Sequence, residues 1–538
     1  MHRMRQQEHG FAMLTTIMIM VACAALALAA YTAASSDLPT SRQDIGRKQA
    51  LSAAQAGVAW YAAKLKADPD YWIKCAAVPN PGGGTDRAPI SATPLRPGQA
   101  DTRTWRPVSP GSPQAYTVEL LPASGASCST ADPAGSMLAD NRMRIRVTGR
   151  STATRGQRRT LVATFRRPSF LDYVYYTDYE VTDPDADADS ATSLSNCGKY
   201  YRTGRPSACH EIQWGLTDKA LGPLHTNDQL NLCGSPTFGR PGRRDRIEVT
   251  DPTGTRASCA DSSVFNGLKL FGIDPLQLPA TDSSLASVPG VRTFAGNTQL
   301  HLAAGGFYWR SASTYPNWQW STYPASKLIY VTSASGTCAP TTIYSKYDFS
   351  DYACGNVYVS GTYDTSLTIA SQNDVIVTGD LKRAGTDQLL GLIGENYVRV
   401  FHPVSFAAKA TSCDTSSANG SDTNPSIKSL PNGATLRIPW TNPVIQAGML
   451  AVNHSVIVDN YGCGSPLGTL NITGAIAQKF RGPVALTSTS NGTQTQLSGY
   501  TKNYVYDDLL GYREPPNFLD PVKAAWISGR TVEQIPAS

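Results

Sequence analysis

The stretch EHGFAMLTTIMIMVACAALALAAY, Glu8 to Tyr31, decides how the rest of the chain is read. Phe11 to Tyr31 carries no charge and is long enough to cross a bilayer as a helix. Arg3 and Arg5 precede it, and basic residues on that side favour a cytoplasmic N-terminus. The expected location is the cytoplasmic membrane, crossed once, with the bulk of the chain outside the cell. The run ALALAA also fits a removable secretion signal, which instead predicts a soluble protein starting near Ala30.

Working outward, helical patterning resumes after the apolar run. Leu51, Ala54, Val58, Tyr61 and Leu65 recur at three- and four-residue steps, with Arg47, Lys48, Gln55 and Lys64 between them. The segment Ser36 to Ser41 separates the halves, and Pro39 predicts a kink or restart there. Asp68-Pro69 predicts the end of the helix.

The short basic leader, Gly10 before Phe11, the apolar helix and the small-residue segment AAQAGVAWYAAKL (Ala53 to Leu65) resemble a type IV prepilin, a minor pilin of the PilX type. The resemblance implies cleavage between Gly10 and Phe11 by a prepilin peptidase and methylation of the new Phe11 amino group. It implies other pilin-like subunits as partners. The chain departs from that pattern at Thr15, where major pilins carry Glu. A neutral residue there cannot pair with a neighbour's terminal amine, which fits a minor or tip-located subunit. The Tyr-rich, Pro-Pro ending Gly499 to Trp526 is similar to that of large, actinobacterial-style members with a β-helical region.

Eleven cysteines are many for a cytosolic protein. Cys23 lies in the apolar run and ten lie beyond it, an even number that predicts an oxidising compartment. Sequence neighbours suggest Cys197–Cys209, Cys233–Cys259 and Cys338–Cys354, with Cys75–Cys128 and Cys413–Cys463 completing the set. No CxxC pair is present, so no metal centre is expected. A formal charge of +6 over 538 residues is too mild to argue for nucleic acid, and RPGRRDR (Arg240 to Arg246) reads as a solvated loop.

Three alternating runs, Ala115 to Leu121, Arg142 to Arg150 and Arg159 to Arg167, predict an antiparallel meander on which the helix can pack. Met143, Ile145 and Val147 face the core in that reading, and Arg144, Arg146 and Thr148 face water. After about residue 325, short β-branched runs repeat between Gly, Asn, Asp and Ser. The expected fold class is therefore α+β: a long N-terminal transmembrane and amphipathic helix with an antiparallel meander, then a mainly-β region. The latter is read as an irregular right-handed parallel β-helix, with a β-sandwich as the alternative. The expected divisions are a leader (1–10), a membrane helix (11–36), a pilin-like helix and sheet (37–167), a cysteine-containing β region (168–324), a solenoid-like domain (325–498) and a C-terminal cap (499–538).

No catalytic motif or cofactor loop stands in a supporting context, so no enzyme and no cofactor are expected. Glycoside hydrolysis needs two facing carboxylates, and Asp374, Asp380, Glu395 and Asp459 are available, but beside Gly and Asn they read as turn formers. Asp183, Asp185, Asp187 and Asp189 alternate as calcium ligands can, yet lack the Gly and closing Glu of a calcium loop. His225 to Asp228 reads as a hydrogen-bonded turn. Trp309, Trp318 and Trp320 form the candidate binding surface, because aromatic rings stack on sugars and a surface glycan is the candidate ligand.

Overall fold

A single helix, α1, runs from His9 to Ala67. Pro39 does not interrupt it: a proline removes one backbone donor, and the helical turns on either side carry the element through. The helix stops where the sequence predicts, one residue before Asp68-Pro69. The computed structural model describes residues 9–68, 71–73, 78–79, 85–86, 105–123, 142–152, 156–186, 194–311, 315–334, 353–404, 425–490, 493–522 and 526–534. The chain divides into two units, 1–167 with 525–538, and 168–524.

In the first unit, α1 packs on an antiparallel sheet. Its strands lie in the order Arg106–Pro107, Ala115–Leu121, Arg142–Arg150, Arg158–Arg166 and Ile527–Gln534. The three central strands are those of the predicted meander. The helix buries Ala50, Ala53, Ala54, Tyr61 and Leu65 against Met143, Ile145, Val147 and Phe165. Small residues let the two backbones approach: a Cβ on Gly149 lands 2.1 Å from the Ala50 carbonyl oxygen. Tyr61, Tyr71 and Phe165 then close the core through edge and tilted ring contacts. Each fully buried large apolar side chain contributes about 1.5–3 kcal/mol.

Two expectations are corrected here. Arg146 and Thr148 are buried, not solvated. The Arg146 guanidinium lies 3.9 Å from the Glu119 carboxylate and donates to Gln534, so its charge is paired. The end of the chain is not a single cap: Gly499–Tyr506 is a strand of the second unit, and Ile527–Gln534 completes the sheet of the first.

The second unit is mainly β, built on long parallel ladders. One stacks Arg292–Ala295, Leu328–Thr332, Leu367–Ser371, Leu390–Gly394, Val444–Ala451 and Pro466–Arg481. It continues through Tyr175–Thr182, Leu224–Thr226, Arg246–Val249 and Leu268–Phe271. A second stacks Thr298–Ala303, Val357–Tyr363, Val375–Arg383, Val398–Val400 and Val456–Val458. A third leaves the N-terminal half of Pro466–Arg481 through Gly499–Tyr506, Lys219–Leu221, Thr237–Phe238 and Val264–Phe265. The short β-branched runs expected after about residue 325, at 327–333, 356–361, 366–371, 374–381, 389–404, 446–461 and 469–480, all supply strands to these ladders. Two of them fold as two strands around a turn, Leu390–Gly394 with Val398–Val400 and Val444–Ala451 with Val456–Val458. The inward residues Val357, Val359, Leu367, Ile369, Val375 and Val377 are fully buried.

Residues 168–324 and 325–498 are therefore not separate, since both supply strands to the same ladders. The chain enters the first ladder in the middle, at Tyr175–Thr182, and climbs to Leu268–Phe271. It then passes to the opposite end at Arg292–Ala295 and returns strand by strand. Ten strands span nine spacings, roughly 43 Å, within the reach of the 20 residues 272–291. That strap is tied along its course. Leu276 exchanges backbone bonds with the Asn227 amide and accepts from the Tyr176 hydroxyl. Thr281 and Asp282 bond Glu395, and Gly290 accepts from Ser326.

Disulfides join Cys197 to Cys209 and Cys233 to Cys259, as expected. Cys354 and Cys463 are disulfide-bonded too. Cys75, Cys128, Cys338 and Cys413 lie outside the described residues. Cys23 is free and exposed.

Candidate functional site

The second ladder leaves an outward face over which residues 430–440 fold. Between them lies a groove of about 280 Å³, lined among others by His301, Ser360, Asp380, Lys382, Arg437 and Trp440. Ladder register places its floor: His301 pairs with Ser360 across adjacent parallel strands. The His301 Nδ1 lies 3.1 Å from the Ser360 Oγ. Burial lowers the pKa of His301, favouring the neutral imidazole.

Asp380 is held by three donors. Its carboxylate accepts from the Trp440 indole at 3.0 Å, the Val444 amide at 3.1 Å and the Lys382 ammonium at 2.6 Å. Burial opposes its ionisation, but these donors outweigh burial and leave its pKa below the usual carboxylate value. Arg437 is exposed, bonds Thr441 at 2.8 Å and has no carboxylate partner among the described residues. Gly379 lines the groove, where a Cβ sits 3.3 Å from Ser360 and 3.6 Å from Leu436. The groove thus combines hydroxyl and imidazole groups, an oriented carboxylate, a free guanidinium and an indole wall.

The other candidate carboxylates are committed elsewhere. Asp374 and Asp459 flank the buried Arg399 at 3.0 and 2.6 Å. Both carboxylates thus neutralise one buried guanidinium. Glu395 accepts from Thr281 and from the Asp282 amide. His402 is buried with its Nδ1 3.0 Å from the Asp459 carbonyl oxygen, a structural position.

Asp183, Asp185 and His454 bring potential ligand atoms within 4.8 Å of one another. Asp183 already accepts from Ser455 at 2.9 Å and the Asp185 amide at 3.0 Å, and lies 3.1 Å from the His454 Nδ1. A cation must displace those partners, so the cluster reads as an ion-paired turn. Burial works against charge on His454, but Asp183, Asp185 and Asp374 outweigh it and raise its pKa. Asp187 and Asp189 lie outside the described residues.

His225 to Asp228 forms a buried polar network rather than a reactive site. The His225 Nδ1 lies 3.1 Å from Glu248 and its Nε2 3.0 Å from the Asn227 carbonyl. Asp228 pairs with the buried Arg205. The basic cluster is neutralised in part, since Arg240 pairs with both Asp245 and Asp508.

The tryptophan surface is only partly as expected. Trp309 is 7% exposed, and its indole donates to Ser321 at 2.9 Å. It follows Phe307 at strand period two, which turns both rings inward. Trp318 is half-buried beneath the Arg310 guanidinium, 4.7 Å from the ring centre. Trp320 is 47% exposed and packs against Tyr308. The groove escaped sequence reading because its residues come from four separate stretches. A usable signal was present in NDVIVTGDL, where Gly379 and Asp380 follow the β-branched run.

Ala12–Thr32 is a helical segment long and apolar enough to cross a membrane, and none of it is buried in the protein. Gly10 and Phe11 lie within α1. Comparison with known proteins finds no matching family model, no matching curated protein and no matching solved structure.

Proposed function

We propose that this protein is a minor-pilin-like surface subunit, anchored by the first half of α1 and displaying a right-handed parallel β-helix outside the cell. The observation that carries this reading is the division of labour within one helix. Ala12–Thr32 is apolar and uncovered, while Ala50 to Leu65 packs on an antiparallel sheet. A helix built that way can sit in lipid or among other such helices at one end and hold a folded head at the other. Arg3 and Arg5 support a cytoplasmic start, and the disulfides support an exported bulk. Parallel pairing of alternate strands from Leu328–Thr332 to Pro466–Arg481 supports the β-helix over a sandwich. The partners are the membrane, a prepilin peptidase and other pilin-like subunits, and the role is display or adhesion rather than catalysis.

Intact-mass and N-terminal peptide analysis of protein purified from its own cells tests this. The expected species begins at a methylated Phe11. A start near Ala30 supports a secreted β-helix protein acting on polysaccharide, and an unprocessed terminus supports a plain membrane anchor.

A further inference from the structure

The groove under residues 430–440 holds a set of groups that the ladders do not need. His301 carries one ring nitrogen toward Ser360, and its Nε2 has no partner among the described residues. Arg437 holds an unpaired charge at the groove wall. Lys382 is matched by Asp380, so the groove keeps one net positive charge from these three residues. A Cβ at Gly379 comes within 3.3 Å of the Ser360 Cβ and 3.6 Å of Leu436, so any side chain there intrudes on the groove. A volume of about 280 Å³ is at the lower end for small-molecule sites, near 300 Å³.

These features specify a ligand. A free guanidinium binds a carboxylate as a planar pair. A neutral imidazole beside a serine hydroxyl offers both donor and acceptor sites, which hydroxyl groups satisfy. The oriented Asp380 accepts from further hydroxyls, and the edges of Trp440 and Leu436 give an apolar wall for a ring. We propose that this groove binds a small polyhydroxylated ligand with one negative charge, a uronate-type saccharide unit. Arg437 takes the carboxylate, and His301, Ser360 and Asp380 take the hydroxyls. This deepens the surface-display reading by naming the glycan class that the displayed domain recognises.

The test uses the detergent-solubilised full chain with methyl glucuronide and methyl glucoside, which differ at one carboxylate, titrated by saturation-transfer NMR. The glucuronide is expected to bind roughly tenfold tighter, the scale of one charged hydrogen bond. Arg437→Ala is expected to erase that preference, and Gly379→Val to abolish binding of both sugars. Absence of binding to the parent protein overturns the proposal, as does equal binding of the two sugars. If Gly379→Val does not fold, the exposed Arg437→Ala decides, and a retained preference overturns the proposal. The N-terminal mass of the same preparation tests the display reading separately, so failure of one is visible without failure of the other.

Discussion

Asp282 is fully buried where the strap crosses the first ladder. Its Oδ1 accepts from the Tyr330 hydroxyl at 2.8 Å, and its Oδ2 meets no donor among the described residues. Burial first, and the adjoining Glu395 second, push its pKa up to about 9. The folded protein therefore keeps this proton where the unfolded chain, with an ordinary Asp near 3.8, has lost it. The stabilisation is complete below that lower value and is lost as pH rises through about 9. Asp282→Asn keeps the bond to Tyr330 and supplies a permanent donor toward Glu395. The variant is expected to show a flatter stability profile between pH 4 and 9, and higher stability at pH 8. Urea unfolding across that range checks it; an unaltered slope removes Asp282 as the cause. The Asp in "PATDSS" looks like any turn residue, because the carboxylate that perturbs it lies 113 residues away.

Among elements, the contact of α1 with its sheet is close enough to bring backbone against backbone. Gly149 faces the backbone of Ala50, Ala53 and Ala54, with no flexible side chain to yield. Gly149→Ala is expected to destabilise the first unit by about 1–3 kcal/mol, the usual cost of overpacking, or to separate helix from sheet. Denaturant unfolding followed by fluorescence of the neighbouring Trp60 reads this, and a loss under about 0.5 kcal/mol, the range of ordinary surface substitutions, contradicts it. The helix and the three central strands were legible because period 3.6 and period 2 are written in neighbouring residues. Arg146 was not: alternation assigns a side chain to a face, but not what covers that face. Pro39 was misread for a related reason, since a local break signal competes with the helix on both sides of it. Trp309 shows the same limit, its burial being set by Phe307 and Phe294 rather than by its own hydrophobicity.

On the scale of the whole molecule, both units are discontinuous in sequence or in stacking order. The first takes its last strand from Ile527–Gln534, which pairs antiparallel with Arg158–Arg166. Removal of residues 526–538 leaves that strand as an open edge. The truncated protein is expected to lose the melting transition of the first unit, or to show it at lower temperature, while the transition of residues 168–524 is retained. Calorimetry separates the two, and a single unchanged transition rules against this division. In the second unit, the stack joins Tyr175–Thr182 to Pro466–Arg481, and the buried pair Glu180 with Arg481 bridges 301 residues at 2.8 Å. Sequence sufficed for the membrane-length helix, its packing stripe, the meander strands and the short strands, since each follows from side chains a few residues apart, and nearness along the chain suggested two disulfides that span 12 and 26 residues. Tertiary structure alone decided the order in which strands stack, the strap that runs along them, the burial of Arg146 and Trp309, and the groove. Those depend on which distant surfaces exclude water together, a choice that no local pattern encodes.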